Sequence, residues 1–74
     1  MTPKFDPAAV ILRIKVAAER VGTIPEAARA CDLKQATLDS ILSGKNLPNT
    51  ATMVALCTGL DVSADWLLFG GPRP

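Results

Sequence analysis

The 74-residue sequence contains no histidine, only two cysteines and only three aromatic residues. The absence of histidine removes the commonest general base of enzymes and every catalytic triad that depends on it. The two cysteines, Cys31 and Cys57, cannot by themselves form a zinc site of histidine and cysteine ligands within one chain. Both lie among apolar residues, so we expect reduced thiols packed in the core, while a disulfide between them stays open.

The sequence also lacks a phosphate-binding glycine loop, a paired carboxylate site and a long apolar run. Its glycines stand singly or as the pair Gly70-Gly71, which fits neither a P-loop nor a dinucleotide-binding motif. No apolar run approaches the roughly 18–20 residues that span a bilayer, and the N-terminus has no secretory-signal layout. We therefore expect a cytoplasmic protein that is not an enzyme and that uses no cofactor, small-molecule substrate or membrane.

What the chain does contain is a high proportion of apolar residues and almost no net charge. Apolar residues make up 49% of the chain, and its formal net charge is +1. This composition favours one small domain, residues 1–74, built of helices that pack through alanine, leucine, valine and isoleucine. The low net charge is not typical of a strongly basic nucleic-acid-binding protein.

Helix-start and helix-stop signals predict five short helices and no strand, which is an all-α fold. Asp6 and Pro7 start the first helix, as an N-cap followed by proline at the first helical position. Gly22 ends this helix as a predicted left-handed cap. The stripe expected to face the core consists of Val10, Ile14, Ala17 and Val21.

The second and third helices are each about eight residues long and are joined by only three residues. Thr23 and Glu26 fit a capping box that starts the second helix. The third helix follows the joint at residues 32–34 and runs to Ser43, where Gly44 caps it. This spacing is that of a helix-turn-helix, although other short helical hairpins share it.

Two further helices complete the predicted bundle. Thr50 or Asn49 caps the fourth helix, which Gly59 ends, and Ser63 caps a fifth helix that stops at Gly70. The expected apolar positions of the fourth helix are Met53, Val54, Leu56 and Cys57. The predicted boundaries are residues 7–70 for the folded core, 23–43 for the helix-turn-helix and 71–74 for a flexible tail.

The third helix has an outer face of short side chains. Its apolar stripe is Leu38, Ile41 and Leu42, and the other side carries Ala36, Asp39, Ser40 and Ser43, with Gln35 and Thr37 beside them. A solvated helix usually carries long glutamate and lysine side chains in pairs four residues apart. The slim face leaves two interpretations open, an ordinary helix exterior or a surface that enters something narrow.

Several segments together resemble the lambda-repressor-like helix-turn-helix family, the XRE or Cro/CI-type domains of bacteria and their phages. The resemblance runs over residues 10–70 and is carried by Ala27-Ala28, the turn around Leu33, and residues 43–48 and 59–70. It implies a compact bundle of five helices. It also implies that the second helix lies across the DNA backbone and that the third faces the major groove.

The resemblance implies that five residues at the start and outer side of the third helix read bases: Lys34, Gln35, Ala36, Thr37 and Ser40. Glutamine can pair with two atoms of adenine, methyl groups can pack on thymine, and lysine can reach guanine or a phosphate. For Gln35 the alternative is a solvated surface position. Asp39, on the same face, could accept a hydrogen bond from cytosine or repel phosphates.

It also implies that three residues hold the DNA backbone: Ser43, Lys45 and Asn46. They follow the third helix, where their donors could bind phosphate without reading sequence. Thr23 is a further candidate phosphate contact, because it stands at the N-terminus of the second helix, whose backbone amides favour anions. The alternative for the three later residues is a solvated polar loop, in which such residues are common.

The chain departs from the family pattern at three places. Ile24 stands where members often have a phosphate-contacting glutamine, and Asp32 stands where they have a turn glycine. Ala17 and Leu42 occupy the positions of an arginine–glutamate pair, so an apolar contact would replace an ion pair. We expect the fold to tolerate these changes and the lost donor at residue 24 to weaken DNA binding.

The implied function is a small sequence-specific DNA-binding regulator, a phage- or prophage-type repressor that occupies an operator as a homodimer. The expected dimer interface is Trp66, Leu68 and Phe69, because so small a bundle does not bury every large apolar residue; for Trp66 the alternative is core closure. The other hypothesis is a protein-interaction module on the same fold, such as an antirepressor or antitoxin-like subunit. The near-neutral charge, Ile24 and Asp39 favour that hypothesis.

Overall fold

The computed structural model describes residues 5–71 and contains five α-helices, with no strand among those residues. The helices are α1 (Pro7–Val21), α2 (Ile24–Ala30), α3 (Gln35–Leu42), α4 (Thr50–Gly59) and α5 (Ala64–Phe69). The predicted all-α fold is confirmed, although α2 and α3 each end one residue earlier than expected. Apart from Gly71, the predicted flexible tail lies outside the described residues. None of the five helices is long and apolar enough to cross a membrane.

Local side-chain caps explain where four of the helices begin. The side chains of Asp6, Thr23, Asn49 and Ser63 each accept a hydrogen bond from a backbone amide two or three residues later, at 2.8–3.3 Å. Such a bond satisfies a donor that the first helical turn leaves without a partner. The N-cap of α3 is instead Lys34, which makes no side-chain cap because an ammonium group has no acceptor atom.

The core is centred on α1, which packs against α2, α3 and α5. The largest fully buried side chains are Val10 and Ile14 from α1, Leu38 from α3, Leu56 from α4 and Leu67 from α5. Every helix except the short α2 therefore contributes a large side chain. Helix α2 contributes small alanines instead, which lets it lie close to its neighbours.

Two residues predicted to face the core are exposed. Val21, the last residue of α1, is 39% exposed, and Ala18 in the preceding turn is buried instead. Val54 is 61% exposed, because it precedes Leu56 by two residues and so points about 160° away from it around α4. The predicted inward positions were therefore wrong at these two residues.

Two glycines have roles that differ from those expected. Gly22 has φ 145° and ψ −133°, so its φ is positive but its conformation is not the predicted left-handed helical one. Gly59 is the last residue of α4, as predicted, but the left-handed residue that follows the helix is Asp61, at φ 55°. A Cβ at residue 59 would lie 2.6 Å from both the carbonyl oxygen of Ala30 and the Cα of Cys31. Gly59 therefore allows α4 to approach the end of α2.

Both cysteines are free, with Cys31 buried and Cys57 partly buried against the core. Burial raises the pKa of each thiol, because the charged thiolate is poorly solvated there. The neutral thiols pack as small apolar groups, in agreement with the predicted reduced state.

The contact at Gly59 predicts an inverted response to alanine. Alanine normally stabilises a helix by about 0.5–1 kcal/mol relative to glycine. We expect Gly59→Ala to destabilise the protein by about 1–3 kcal/mol, because its methyl group would overlap the α2 backbone. Urea denaturation gives the free energy of unfolding of each variant.

Thr58→Ala, at the exposed neighbouring position, is the control and should change stability by no more than about 0.5 kcal/mol. A stabilising Gly59→Ala variant would contradict the close approach of α4 to α2.

Candidate nucleic-acid interface

A tight turn joins α2 to α3. The amide of Leu33 donates to the carbonyl of Ala28 at 2.8 Å, and the amide of Asp32 donates to the carbonyl of Arg29 at 3.1 Å. This is the hydrogen-bond pattern of a Schellman motif, which needs a left-handed residue just after the helix. Asp32 fills that position with φ 55°, a conformation that aspartate tolerates better than most residues. Leu33 then packs against the core, which holds the start of α3 in place.

Helix α3 buries one side and presents the other to solvent. Leu38 and Ile41 belong to the core, whereas Ala36 and Asp39 are exposed and Ser40 is half-buried. The slim outer face predicted from the sequence is therefore the solvent-facing side of α3.

Three of the predicted base-reading residues share one surface depression. This depression, here called the α3–α4 cleft, has a volume of about 370 Å³ and lies between α3 and the segment leading into α4. It is lined on the α3 side by Ala36, Thr37 and Ser40, and it also contains the predicted phosphate contact Asn46. The fold thus brings together residues that the resemblance assigned separately to bases and to the backbone.

The cleft also contains residues that the sequence analysis did not single out for DNA contact. Leu47, Asn49 and Thr52 line it opposite α3. Asn49 was predicted only as a helix cap, and its Oδ1 accepts from the Thr52 amide at 2.8 Å. Their position depends on how the loop returns from α3 to α4, for which local sequence carries no signal.

Gln35 and Lys34 lie outside this cleft. Gln35 is exposed and lines a second depression of about 300 Å³, together with Arg29 from the last turn of α2. Lys34 is exposed at the N-cap and lines neither depression. The sequence analysis did not select Arg29, although it is the one basic residue within α2 and lies just before the turn.

Two of the predicted phosphate contacts already use their hydroxyl groups within the protein. Thr23 Oγ1 donates to Glu26 Oε1 at 2.9 Å, and Ser43 Oγ donates to the carbonyl of Ser40 at 3.0 Å. A phosphate would have to replace these bonds. The side chain of Lys45, in contrast, is exposed beyond Gly44, whose φ of 81° turns the chain away from α3.

The three predicted interface residues of α5 do not share one face. Trp66 is partly buried against the core, Leu68 is half-buried, and Phe69 is 42% exposed. Trp66 and Leu68, two residues apart, point about 160° from each other around the helix. Arg13 fixes the end of α5 by donating from Nη1 to the carbonyl of Leu67 at 3.2 Å.

A protein-family model described as helix-turn-helix matches residues 22–67 of the chain. The match runs from the residue before the α2 cap to the buried leucine of α5. The chain belongs to the XRE, or lambda-repressor-like, helix-turn-helix family. Among curated proteins and solved structures no significant match was found. Family membership makes the chain a DNA-binding helix-turn-helix regulator.

The departures from the XRE pattern have structural explanations. Ile24 packs against the core, so an apolar side chain is used where other members often present a polar one to DNA. Ala17 is buried and Leu42 packs against the same cluster, which places apolar groups at both positions of the missing ion pair. Each substitution adds apolar contact to a small core.

The charges of this XRE helix-turn-helix and the loop after it balance. Arg29, Lys34 and Lys45 are matched by Glu26, Asp32 and Asp39 over residues 23–46. Because these charges balance, DNA contact by this domain would rely on a few placed donors more than on overall charge.

Among residues 5–71, no three cysteine, aspartate or glutamate side chains are grouped so that they could hold a metal ion.

Glu26 completes the capping box of α2. Its Oε1 accepts from the Thr23 amide at 3.0 Å, and its own amide donates to Thr23 Oγ1 at 3.3 Å. The backbone and hydroxyl donors of Thr23 lower the pKa of Glu26, and the nearby charge of Arg29 lowers it further. Gly22 makes room for this carboxylate, because a Cβ there would lie 2.7 Å from Glu26 Oε1.

This lowered pKa predicts how stability depends on pH. The ionised carboxylate is favoured in the folded state, so its contribution is present above the ordinary carboxyl pKa and is lost as pH falls through the lowered value. We expect the wild type to be more stable than Glu26→Ala at neutral pH, with the two converging in acid. Urea denaturation over a pH series measures the difference, and a difference independent of pH would contradict the role of the charge.

Proposed function

We propose that this chain is a small sequence-specific transcriptional regulator, a repressor of phage or prophage type that occupies its operator as a homodimer. The observation that carries the proposal is the α3–α4 cleft, where Ala36, Thr37, Ser40 and Asn46 meet on the solvent side of α3. Short side chains there let the helix enter the major groove closely, and polar groups lie beside them. The proposal assigns no catalysis to the chain, which has no histidine.

In this proposal the start of α3 reads bases. Gln35 pairs with N6 and N7 of an adenine, while the methyl groups of Ala36 and Thr37 pack on thymine. Ser40 donates to or accepts from a neighbouring base, and Lys34 reaches guanine or a phosphate. Leu38 and Ile41, buried behind this face, keep α3 in a fixed orientation.

The flanking residues hold the DNA backbone and set the position of α3 in the groove. Lys45 and Asn46 are exposed where the chain leaves α3, so they can reach a phosphate beside the groove. Thr23 and Ser43 contribute where the phosphate replaces their internal hydrogen bonds. These contacts are the same for every sequence and add affinity without selectivity.

A homodimer is proposed because one helix-turn-helix reads few base pairs. Two copies would place their third helices in successive major grooves, about 34 Å apart, on a palindromic site. Bound there, the dimer would block access to the DNA it covers. Such occupancy is the simplest mechanism of repression.

The second candidate is a protein-interaction module on the same fold, for example an antirepressor or an antitoxin-like subunit. Three observations favour it: the balanced charge of residues 23–46, the packing of Ile24 into the core, and the exposure of Asp39 beside the reading face. An acidic side chain at that place would repel phosphates unless it pairs with cytosine.

An electrophoretic mobility shift at low salt separates the two candidates. The probe is DNA that flanks the chain's own gene, with random DNA of equal length as competitor. We expect a specific complex that survives excess competitor and weakens as salt is raised, because phosphate contacts release counterions. Persistent failure to shift any duplex at low salt would favour the protein-interaction module.

Base reading by Gln35 predicts a loss of selectivity. Gln35→Ala should weaken binding to the selected operator by about 1–3 kcal/mol and relax the preference at one base pair. Titrations against the operator and its single-base-pair variants measure both effects. Unchanged affinity and preference would remove Gln35 from the reading face.

Lys45→Ala is the matched comparison for this experiment. As a phosphate contact, Lys45 should weaken binding to all sequences alike and reduce the salt slope by about one on substitution. Lys15→Ala, an exposed lysine on α1, serves as the control for lost charge and should leave the slope unchanged.

A further inference from the structure

The depression that Gln35 and Arg29 share lies between the end of α2 and the start of α3. Here called the α2–α3 depression, it has a volume of about 300 Å³. Pro25, Ala28 and Leu33 form its apolar part, and Arg29 and Gln35 are its polar members. The depression therefore offers an apolar surface next to a positive charge and an amide.

The charge of Arg29 distinguishes this depression from two other concave surfaces formed by residues 5–71. The α3–α4 cleft has no acidic or basic lining residue, and neither has the apolar groove between α4 and α5, which Val54 lines. The α2–α3 depression has one charged lining residue, and that residue is a cation. A concave surface lined by positive charge alone attracts anions, so this depression is the one of the three that favours an anionic ligand.

The guanidinium group of Arg29 is available to such a ligand. The Arg29 side chain is exposed, and no hydrogen bond or ion pair within residues 5–71 engages its guanidinium. A planar guanidinium can donate to two oxygens of one phosphate, whereas the ammonium group of lysine acts as a point charge. Arg29 can therefore bind a phosphate without giving up a contact inside the protein.

The opposite end of α2 is less suited to a phosphate. The amide and the hydroxyl of Thr23 both donate to Glu26 Oε1, at 3.0 and 2.9 Å. The carboxylate that occupies these donors would repel a phosphate placed beside it. Ile24 packs against the core and carries no donor. The cation of α2 lies instead in its last turn, at Arg29.

We propose that the α2–α3 depression binds one sugar–phosphate unit of the DNA backbone. The guanidinium of Arg29 donates to the phosphate oxygens, and Pro25 and Leu33 contact the C–H groups of the deoxyribose. The inference rests on the proposed function, because it requires α3 to lie in the major groove. It makes Arg29 the principal contact of α2 with DNA, a role for which the sequence offered Thr23 as the candidate.

A phosphate bound there would also fix the position of the base-reading glutamine. Gln35 is the first residue of α3 and lines the same depression as Arg29. The phosphate that Arg29 binds is therefore close to the base pair that Gln35 reads. Successive phosphates of one strand are about 3.4 Å apart along the DNA axis, so we expect the two contacts within about two nucleotides of each other.

The first test measures the salt dependence of binding to a random duplex, which needs no knowledge of the operator. Arg29→Gln should weaken binding about tenfold at low salt, because a charge-assisted hydrogen bond is lost. It should also reduce the salt slope by about one, because one phosphate fewer is neutralised. Fluorescence anisotropy of a labelled duplex over a salt series measures both quantities.

Further variants show whether the loss belongs to a guanidinium at this place. Arg29→Lys keeps the charge without the planar fork, so it should keep the wild-type slope and recover only part of the affinity. Lys15→Gln removes an exposed charge from α1, outside the depression, and should leave the slope unchanged. Circular dichroism and thermal melting check the fold of each variant. Arg29→Ala, with the residue of highest helix propensity, replaces Arg29→Gln if that variant unfolds.

The second test locates the phosphate on the selected operator. Single phosphates are replaced one at a time by uncharged methylphosphonates, and each duplex is titrated with the wild type and with Arg29→Gln. At one phosphate the replacement should weaken the wild type and leave Arg29→Gln unaffected, because their shared contact is already lost. We expect this phosphate within about two nucleotides of the base pair at which Gln35→Ala relaxes the preference.

Three results would overturn the inference and leave the proposed function in place. They are a folded Arg29→Gln or Arg29→Ala variant with the wild-type salt slope, an equal loss of slope in Lys15→Gln, and equal sensitivity of the wild type and Arg29→Gln at every phosphate. A wild type that binds no duplex at low salt would reject the inference and the proposed function together.

Discussion

Close approach of backbones at small residues is the constraint on which the helix-turn-helix depends. Helix α2 has seven residues; its buried members are the small Ala27 and Ala28, and Ile24 packs partly against the core. Gly59 of α4 lies so close to the end of α2 that any Cβ there would overlap Ala30 and Cys31. A protein of this size has a small core, so such close contacts tolerate little added volume.

The turn between α2 and α3 sets the direction in which α3 leaves α2. After the left-handed residue Asp32, α3 lies with Leu38 toward the core and Ala36 away from it. No DNA contact is proposed for the turn residues, yet the orientation of the proposed reading face follows from them. The placement of the proposed reading face thus depends on backbone geometry first and on side-chain chemistry second.

The balanced charge of the domain limits the affinity with which one copy can bind DNA. With charges balanced over residues 23–46, and with the hydroxyls of Thr23 and Ser43 engaged internally, one copy has few means of holding DNA strongly. Joining two copies makes the second binding event intramolecular and raises affinity without new contacts to DNA.

The sequence by itself determined the features that depend on neighbouring residues: three of the four side-chain caps, the three-residue joint, the apolar stripe of α3 and the family to which the chain belongs. These follow from hydrogen bonds and periodicities within a few residues. Only the tertiary structure decided that Gly59 serves packing, that Val54 is exposed in a groove, and that Asn49 and Thr52 face α3 across a cleft. Each of these features depends on how distant segments of the chain meet. Local propensity does not predict such contacts, because their free energy comes from burial against residues far away in the chain.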